Sequence, residues 1–316
     1  MMKILGLFAL SSSFAFGKSL KFEEIQHSQI TVSPDLVGIY VDGDQVFETP
    51  YNSNYLIQSS YLENPKKGEF PFGNSESDTA GTIRREFPKG IKKGYWYGIS
   101  SFQHHLLMME GLKKKVALYN RKKQKFSLYS DIILDLYKPA ADSRGEPTKR
   151  EVSESRSKFS KSLGTLKYND IALTGLTAAP MSWMSKNEGI THFVSTTIPG
   201  FPLFAMSCDL KDGLLCRFKR HCFVEGLNGV ALGVAISEKR KKVLFIDKSR
   251  RQINVFSWKS CHHLAYLGKL TLPKKLFNAR GIHVDASDNL WVSTERPDNY
   301  KNASVYKWRS IHWGLK

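Results

Sequence analysis

The stretch from Gly233 to Trp308 carries one pattern twice, and that repetition leaves few architectures open to the chain. Gly233-Val234-Ala235-Ile236 passes through a charged turn into Val243-Leu244-Phe245-Ile246-Asp247, then through a basic turn into Ile253-Asn254-Val255-Phe256. Gly281-Ile282-His283-Val284-Asp285 passes through Ala286-Ser287-Asp288-Asn289 into Leu290-Trp291-Val292-Ser293-Thr294, and ends in Ser304-Val305-Tyr306-Lys307-Trp308. The leading glycines are 48 positions apart. Short β-branched and aromatic runs divided by polar turns read as strands, because such side chains suit a pleated, half-buried surface. Self-similarity at a period in the forties is what four-stranded propeller blades produce.

How many blades fit depends on the length left to fold. Met1 to Gly17 has the layout of a secretory signal: Lys3 gives the positive start, Ile4 to Leu10 the apolar core and Ala15-Phe16-Gly17 a small-x-small cleavage site. Ser11-Ser12-Ser13 interrupts the apolar run well before the roughly twenty residues that a membrane span needs. No other segment of the sequence is long enough to be a transmembrane segment. The expected location is therefore outside the cytoplasm, secreted or periplasmic. Residues 18–316 are 299 in number. At roughly 45 to 50 per blade they predict an all-β, six-bladed β-propeller in one domain.

Export places Cys208, Cys216, Cys222 and Cys261 in a compartment that favours disulfides. Four cysteines allow three pairings, and spacing does not choose among them. His221, His262 and His263 lie beside them and raise zinc as a second reading, but no C-x-x-C pair is present, so structural disulfides are expected. The formal charge of +18 points towards an anionic partner. Its clusters, Lys113-Lys114-Lys115, Arg121-Lys122-Lys123, Lys239 to Lys242 and Lys248 to Arg251, all fall in hairpin turns that alternate between the two faces of a propeller. Solvated turns with loose binding to anionic surfaces follow, and no specific nucleic-acid motif interleaves aromatic and basic residues.

Pro34 to Val41 is the first clear strand, and from Tyr51 to Lys93 the alternation loosens among Asn, Ser, Pro and Gly. Four strands at hairpin spacing, Tyr97 to Phe102, Leu106 to Met109, Val116 to Tyr119 and Lys125 to Ile133, make one blade. Residues 138–164 are polar and charged and predict a flexible insertion loop between blades, on the face where propeller pockets form. Asn169 to Thr174 opens the next blade, with Met181 to Ser185, Leu203 to Ser207 and Leu215 to Phe223 as its further strands. Asn302-Ala303-Ser304 is a glycosylation sequon.

Tyr97-Gly98-Ile99-Ser100, Asn169-Asp170-Ile171-Ala172, Val224-Glu225-Gly226 with Ala231 to Ser237, and Ile282 to Asp285 with Leu290-Trp291-Val292 occur in an order that resembles the paraoxonase family. More distantly they are similar to gluconolactonase-type propellers. The resemblance implies a calcium-dependent arylesterase or lactonase acting on a small ester or lactone in the central tunnel. Position by position, it makes Asn169 a ligand of a catalytic calcium and Asp170 a ligand of a structural one. Asp35 and the Ile99 backbone carbonyl would join the structural site. The catalytic set is broken: Pro34, Leu232 and Arg280-Gly281 stand where oxygen ligands are wanted, and Tyr97 and Met109 stand where the family has histidines. Calcium takes six to eight oxygens, which proline, leucine and glycine side chains do not supply. Tyr97 and Asn169 remain as the catalytic candidates, although a phenol with a reference pKa near 10 is a poor base at neutral pH. Arg280 is expected to replace the catalytic ion, pairing with Asp170 or hydrogen-bonding Asn169 as a fixed organic cation. Two functions stand at this point, an ester hydrolase and a catalytically inactive binding module.

Overall fold

A computed structural model describes residues 23–25, 36–61, 82–89, 91–134, 171–183, 189–198, 202–222, 230–247, 251–261, 263–272, 278–294 and 305–308. The signal segment, the 138–164 loop, Asp35, Asn169, Asp170 and Asn302 lie outside the described residues. Among the described residues the regular structure is almost wholly strand. A short β1 (Glu23–Ile25) precedes β2 (Leu36–Asp42), β3 (Gln45–Pro50), β4 (Tyr55–Ser60) and β5 (Thr82–Glu86), which form one antiparallel sheet. The next four strands, β6 (Gly98–Phe102), β7 (His105–Glu110), β8 (Lys115–Asn120) and β9 (Lys125–Leu134), are those expected for one blade. They are followed by β10 (Leu173–Ala178), β11 (His192–Thr196), β12 (Leu203–Asp209) and β13 (Leu215–Cys222). Then come β14 (Gly233–Ser237), β15 (Lys242–Ile246), β16 (Gln252–Ser260) and β17 (His263–Thr271). The last sheet consists of β18 (Ala279–Val284), β19 (Leu290–Thr294) and β20 (Val305–Trp308), and β1 completes it by pairing with β20. The propeller is thus closed by its own N-terminal strand.

Among the described residues these sheets make five blades, where the length predicts six. The innermost strands β2, β6, β10, β14 and β18 pack directly on one another around an axis, and five glycines show how closely. A Cβ on Gly38 would stand 3.3 Å from Trp96 O, one on Gly98 2.8 Å from Leu176 N, and one on Gly175 2.8 Å from Val234 N. The same atom on Gly233 would stand 2.7 Å from Arg280 O, and on Gly281 3.1 Å from Ile39 N. Each contact reaches the main chain of the next blade and the last returns to the first, so the described inner strands close a ring of five. Gly233 and Gly281, the leaders of the sequence repeat, occupy equivalent inner-strand positions.

The third blade carries a second correction. Met181 to Ser185 was expected as a strand, but Met181–Trp183 is a single 3-10 turn closed by Trp183 N donating to Pro180 O at 3.0 Å. Pro180 has no N–H for a strand ladder and its fixed φ suits the start of such a turn. The second strand is His192–Thr196 instead.

Apolar clusters fill the spaces between neighbouring blades. Phe47, Leu56, Trp96 and Met108 pack between the first and second, and Phe193, Val234, Phe245 and Trp258 between the third and fourth. Two disulfides resolve the cysteine pairing. Cys208–Cys216 bridges directly opposed residues of β12 and β13, and Cys222–Cys261 joins the third blade to the fourth. The second and third blades are further joined where β13 runs parallel to β9 at their outer edges. The basic residues Lys113 and Lys114, and Lys239 to Lys241, lie in hairpin turns, with Lys114 and Lys241 at positive φ, while Lys115 opens β8.

Candidate functional site

All five inner strands run in the same sense, so the shaft has one end where they start and another where they finish. At the finishing end they enclose a cavity of about 740 Å³. Its wall is built from Tyr40 to Asp42, Ser100 and Ser101, Thr177 to Met181, Ile236 to Lys239, and His283 to Ala286 with Asp288. Every blade therefore contributes residues near the end of its inner strand, and the third, fourth and fifth add part of the segment that follows. Met181, on the 3-10 turn, is 81% exposed at the mouth.

Four carboxylates line this cavity, and each holds part of the rim. Asp42 pairs with Arg121 of the second blade. Asp288 is buried, pairs with Arg240 and accepts a hydrogen bond from Ser237 Oγ, which ties the fifth blade to the fourth. Asp285 accepts from Asn289 N at 2.8 Å, Asn289 Nδ2 at 2.9 Å and Trp291 Nε1 at 2.8 Å, closing the β18–β19 turn. Glu238 accepts from Ser182 Oγ at 2.8 Å. The sequence motif Ile282 to Asp285 with Leu290-Trp291 is thus a structural buckle, in which the carboxylate satisfies the indole of a buried tryptophan.

Two histidines brace the same end. His283 donates from Nε2 to Val41 O at 3.1 Å, and its ring lies 4.7 Å from that of Tyr40. Burial pushes its pKa down to about 4, although Asp285, the Val41 carbonyl and Asp42 pull it upward. The ring is therefore neutral, and with its proton on Nε2 it offers Nδ1 as an acceptor. His192 donates from Nε2 to Ser101 O at 3.0 Å, and burial likewise pushes its pKa down to about 4. Tyr40 has its phenol pKa raised by burial, against the opposing effect of a hydrogen bond with the Ser101 side chain.

The starting end differs. Between it and the cavity the shaft narrows to a hollow of about 10 Å³, lined from all five inner strands, with Ile99 and Gly98 from β6 and Arg280 and Gly281 from β18. The Arg280 guanidinium lies 5.6 Å from the centre of the Tyr97 ring, in cation–π geometry. Tyr97 stacks on Tyr95 at 6.0 Å, and Tyr95 meets Tyr51 edge-on at 4.8 Å. The structure thus brings Tyr97, Ile99 and Arg280 together at the axis. Among the described residues no three His, Cys, Asp or Glu side chains group closely enough to hold a metal ion.

Sequence reasoning missed the wide cavity, its carboxylates and His192. The repeat did contain a signal for it: Ser237 ends β14, and Asp285 and Asp288 follow β18, at the same stage of two successive blades.

No protein-family model matches the chain, and no curated protein does. Solved structures are similar in outline. A glutaminyl cyclase from Myxococcus xanthus is 10% identical, with 92% of this chain and 98% of that chain covered and a TM-score of 0.49. A luciferin-regenerating enzyme is 9% identical, with 91% and 95% covered and a TM-score of 0.47. The WD40 repeats of RRP9 are 10% identical, with 91% and 97% covered and a TM-score of 0.45. At these values the likeness adds nothing to the propeller that the strand order of this chain draws by itself.

Proposed function

We propose that this chain is an exported binding propeller, which holds a small polar ligand in the finishing end of its shaft and does not hydrolyse esters. The observation that carries this reading is the 740 Å³ cavity itself, to which all five blades contribute while its four carboxylates are engaged in holding the rim. The cavity falls within the size range of small-molecule sites, and its wall offers fixed carboxylate and imidazole acceptors beside hydroxyls. The two disulfides are consistent with an extracellular protein.

The hydrolase implied by the paraoxonase resemblance would work at the other end, through calcium on Asn169, Asp170, Asp35 and the Ile99 carbonyl. Arg280 stands at the axis there. A divalent ion about 4 Å from a guanidinium is opposed by roughly 8 kcal/mol at an effective dielectric of 20, comparable with the whole free energy of a micromolar site. Arg280 therefore supports a fixed organic cation in place of a catalytic ion.

Turnover of phenyl acetate and of a simple lactone, with calcium and with chelator, tests the negative half. The expected rate equals the blank in both conditions, and calcium-dependent turnover would overturn the proposal. For the positive half, a thermal-shift screen of sugars, amino acids and carboxylic acids should yield stabilising compounds. Ala178→Trp, which fills the cavity, should abolish their effect.

A further inference from the structure

We propose that the wide cavity at the finishing end selects a small organic cation, a primary amine, over neutral and anionic compounds of the same shape. This names the ligand class of the binding site proposed above and rests on that reading. The chain carries a formal charge of +18, so a basic wall would be the ordinary expectation. The wall is acidic instead. Asp42, Glu238, Asp285 and Asp288 line it against a single lysine, Lys239. Its volume of about 740 Å³ holds a ligand of monosaccharide size.

Two of the four charges are already compensated, since Asp42 meets Arg121 and Asp288 meets Arg240. Among the described residues the other two meet only neutral donors. Asp285 accepts from N–H groups of Asn289 and Trp291, and Glu238 accepts from the Ser182 hydroxyl. Such donors occupy lone pairs without cancelling charge, and both carboxylates keep capacity for a further donor. His283 adds an independent acceptor. Its Nε2 donates to Val41 O, and burial keeps the ring neutral, so Nδ1 on the cavity wall can accept while the ring brings no positive charge. An ammonium group supplies three N–H donors together with the charge that this wall lacks. A carboxylate ligand would meet like charge, and a neutral hydroxyl would leave the charge uncompensated.

Matched skeletons separate charge from shape. On the full mature chain, calorimetric titrations would compare cyclohexylamine, cyclohexanol and cyclohexanecarboxylate, and likewise glucosamine, glucose and glucuronate. In at least one set the amine should bind about tenfold tighter than its neutral partner, the scale of one charge-assisted hydrogen bond, and the carboxylate should bind weakest. Added sodium chloride should weaken the amine and leave the neutral compound unchanged. Glu238→Gln, in an exposed turn, should weaken the amine a few-fold, and Lys239→Gln should strengthen it by a similar factor. Neither should move the neutral compound, a pattern that a merely structural role would not produce. If neutral compounds or carboxylates bind as tightly as the amines and Ala178→Trp abolishes that binding, the cavity is a ligand site and the charge assignment alone fails. Amine binding that survives Ala178→Trp also overturns it. If no member of either set binds, this inference falls, while the binding reading stands or falls with the wider thermal-shift screen.

Discussion

The two ends of the shaft are made by the same five strands and have opposite characters. Where the strands start, the bore is lined by main chain and glycine, narrows to about 10 Å³, and carries one arginine held over a tyrosine. Where they finish, side chains and hairpin turns take over, and the bore widens to about 740 Å³ among carboxylates, hydroxyls and a neutral imidazole. The glycine of each inner strand explains the contrast. It falls within the first three residues of all five, so the blades touch near the start and diverge towards the finish. A family resemblance built on inner-strand beginnings thus directs attention to the sealed end, while the shaft opens at the other.

Acid should expose this difference most strongly. His192 and His283 both brace the finishing end and both have folded pKa values pushed down to about 4, against about 6.5 in an unfolded chain. Below pH 6.5 the unfolded chain binds protons that the folded one refuses. Stability is therefore complete above that pH and is lost as the pH falls towards 4. The slope approaches roughly 1.4 kcal/mol per pH unit for each histidine, so the two together cost on the order of several kcal/mol by pH 4. Denaturant unfolding at pH 7 and pH 4.5 measures it, and hydrogen exchange should show the finishing-end hairpins opening first. Equal stability at the two pH values would mean that neither imidazole is held as described.

The seal comes next in size. Gly98→Ala places a methyl group against Leu176 N and should cost roughly 1–3 kcal/mol, because main chain cannot step aside as a flexible side chain can. Gly43 is the control: it lies in a hairpin turn at φ 61° with nothing within 4 Å of a new Cβ. Its replacement by alanine should cost about 1 kcal/mol or less, through backbone strain alone. Equal losses in the two variants would show that the inner strands have slack. At the open end, Asp285→Ala leaves the buried indole N–H of Trp291 without its acceptor and should cost about 1–3 kcal/mol.

The propeller class was legible because a repeat with two glycines at one period encodes the same inner strand twice, and hydrophobic alternation survives in any blade. The number of blades was not legible. Length divided by period counts every residue as sheet, and nothing in a polar run says how much of it replaces a blade and how much only joins two. Disulfide pairing was equally hidden, since Cys208 and Cys216 meet through a hairpin while Cys222 and Cys261 meet across a blade boundary. Arg280 was placed in the tunnel by the family resemblance, which sets Arg280-Gly281 where oxygen ligands are wanted. The cavity was missed because it belongs to no single strand: Asp42, Ser101, Thr177, Ser237 and His283 lie on five strands and are adjacent only after the ring closes.

The smallest expected effect tests whether the sealed end has any chemistry left. Tyr97→Phe keeps the ring under the Arg280 guanidinium and removes the hydroxyl, whereas Tyr97→Leu removes the ring as well. If Tyr97 serves to hold the arginine, Leu should cost about 0.5–1 kcal/mol more than Phe, the size of a cation–π contact. The order of the two variants matters more than their size. A phenol acting as base would make Phe the damaging substitution in any turnover assay, with Leu no worse. A ring acting as a platform makes Leu the damaging one in unfolding experiments and leaves ligand binding at the wide end untouched in both. Denaturation midpoints for the pair, measured beside the ester and lactone assays, therefore distinguish a residual active site from a plug that keeps one end of the shaft closed.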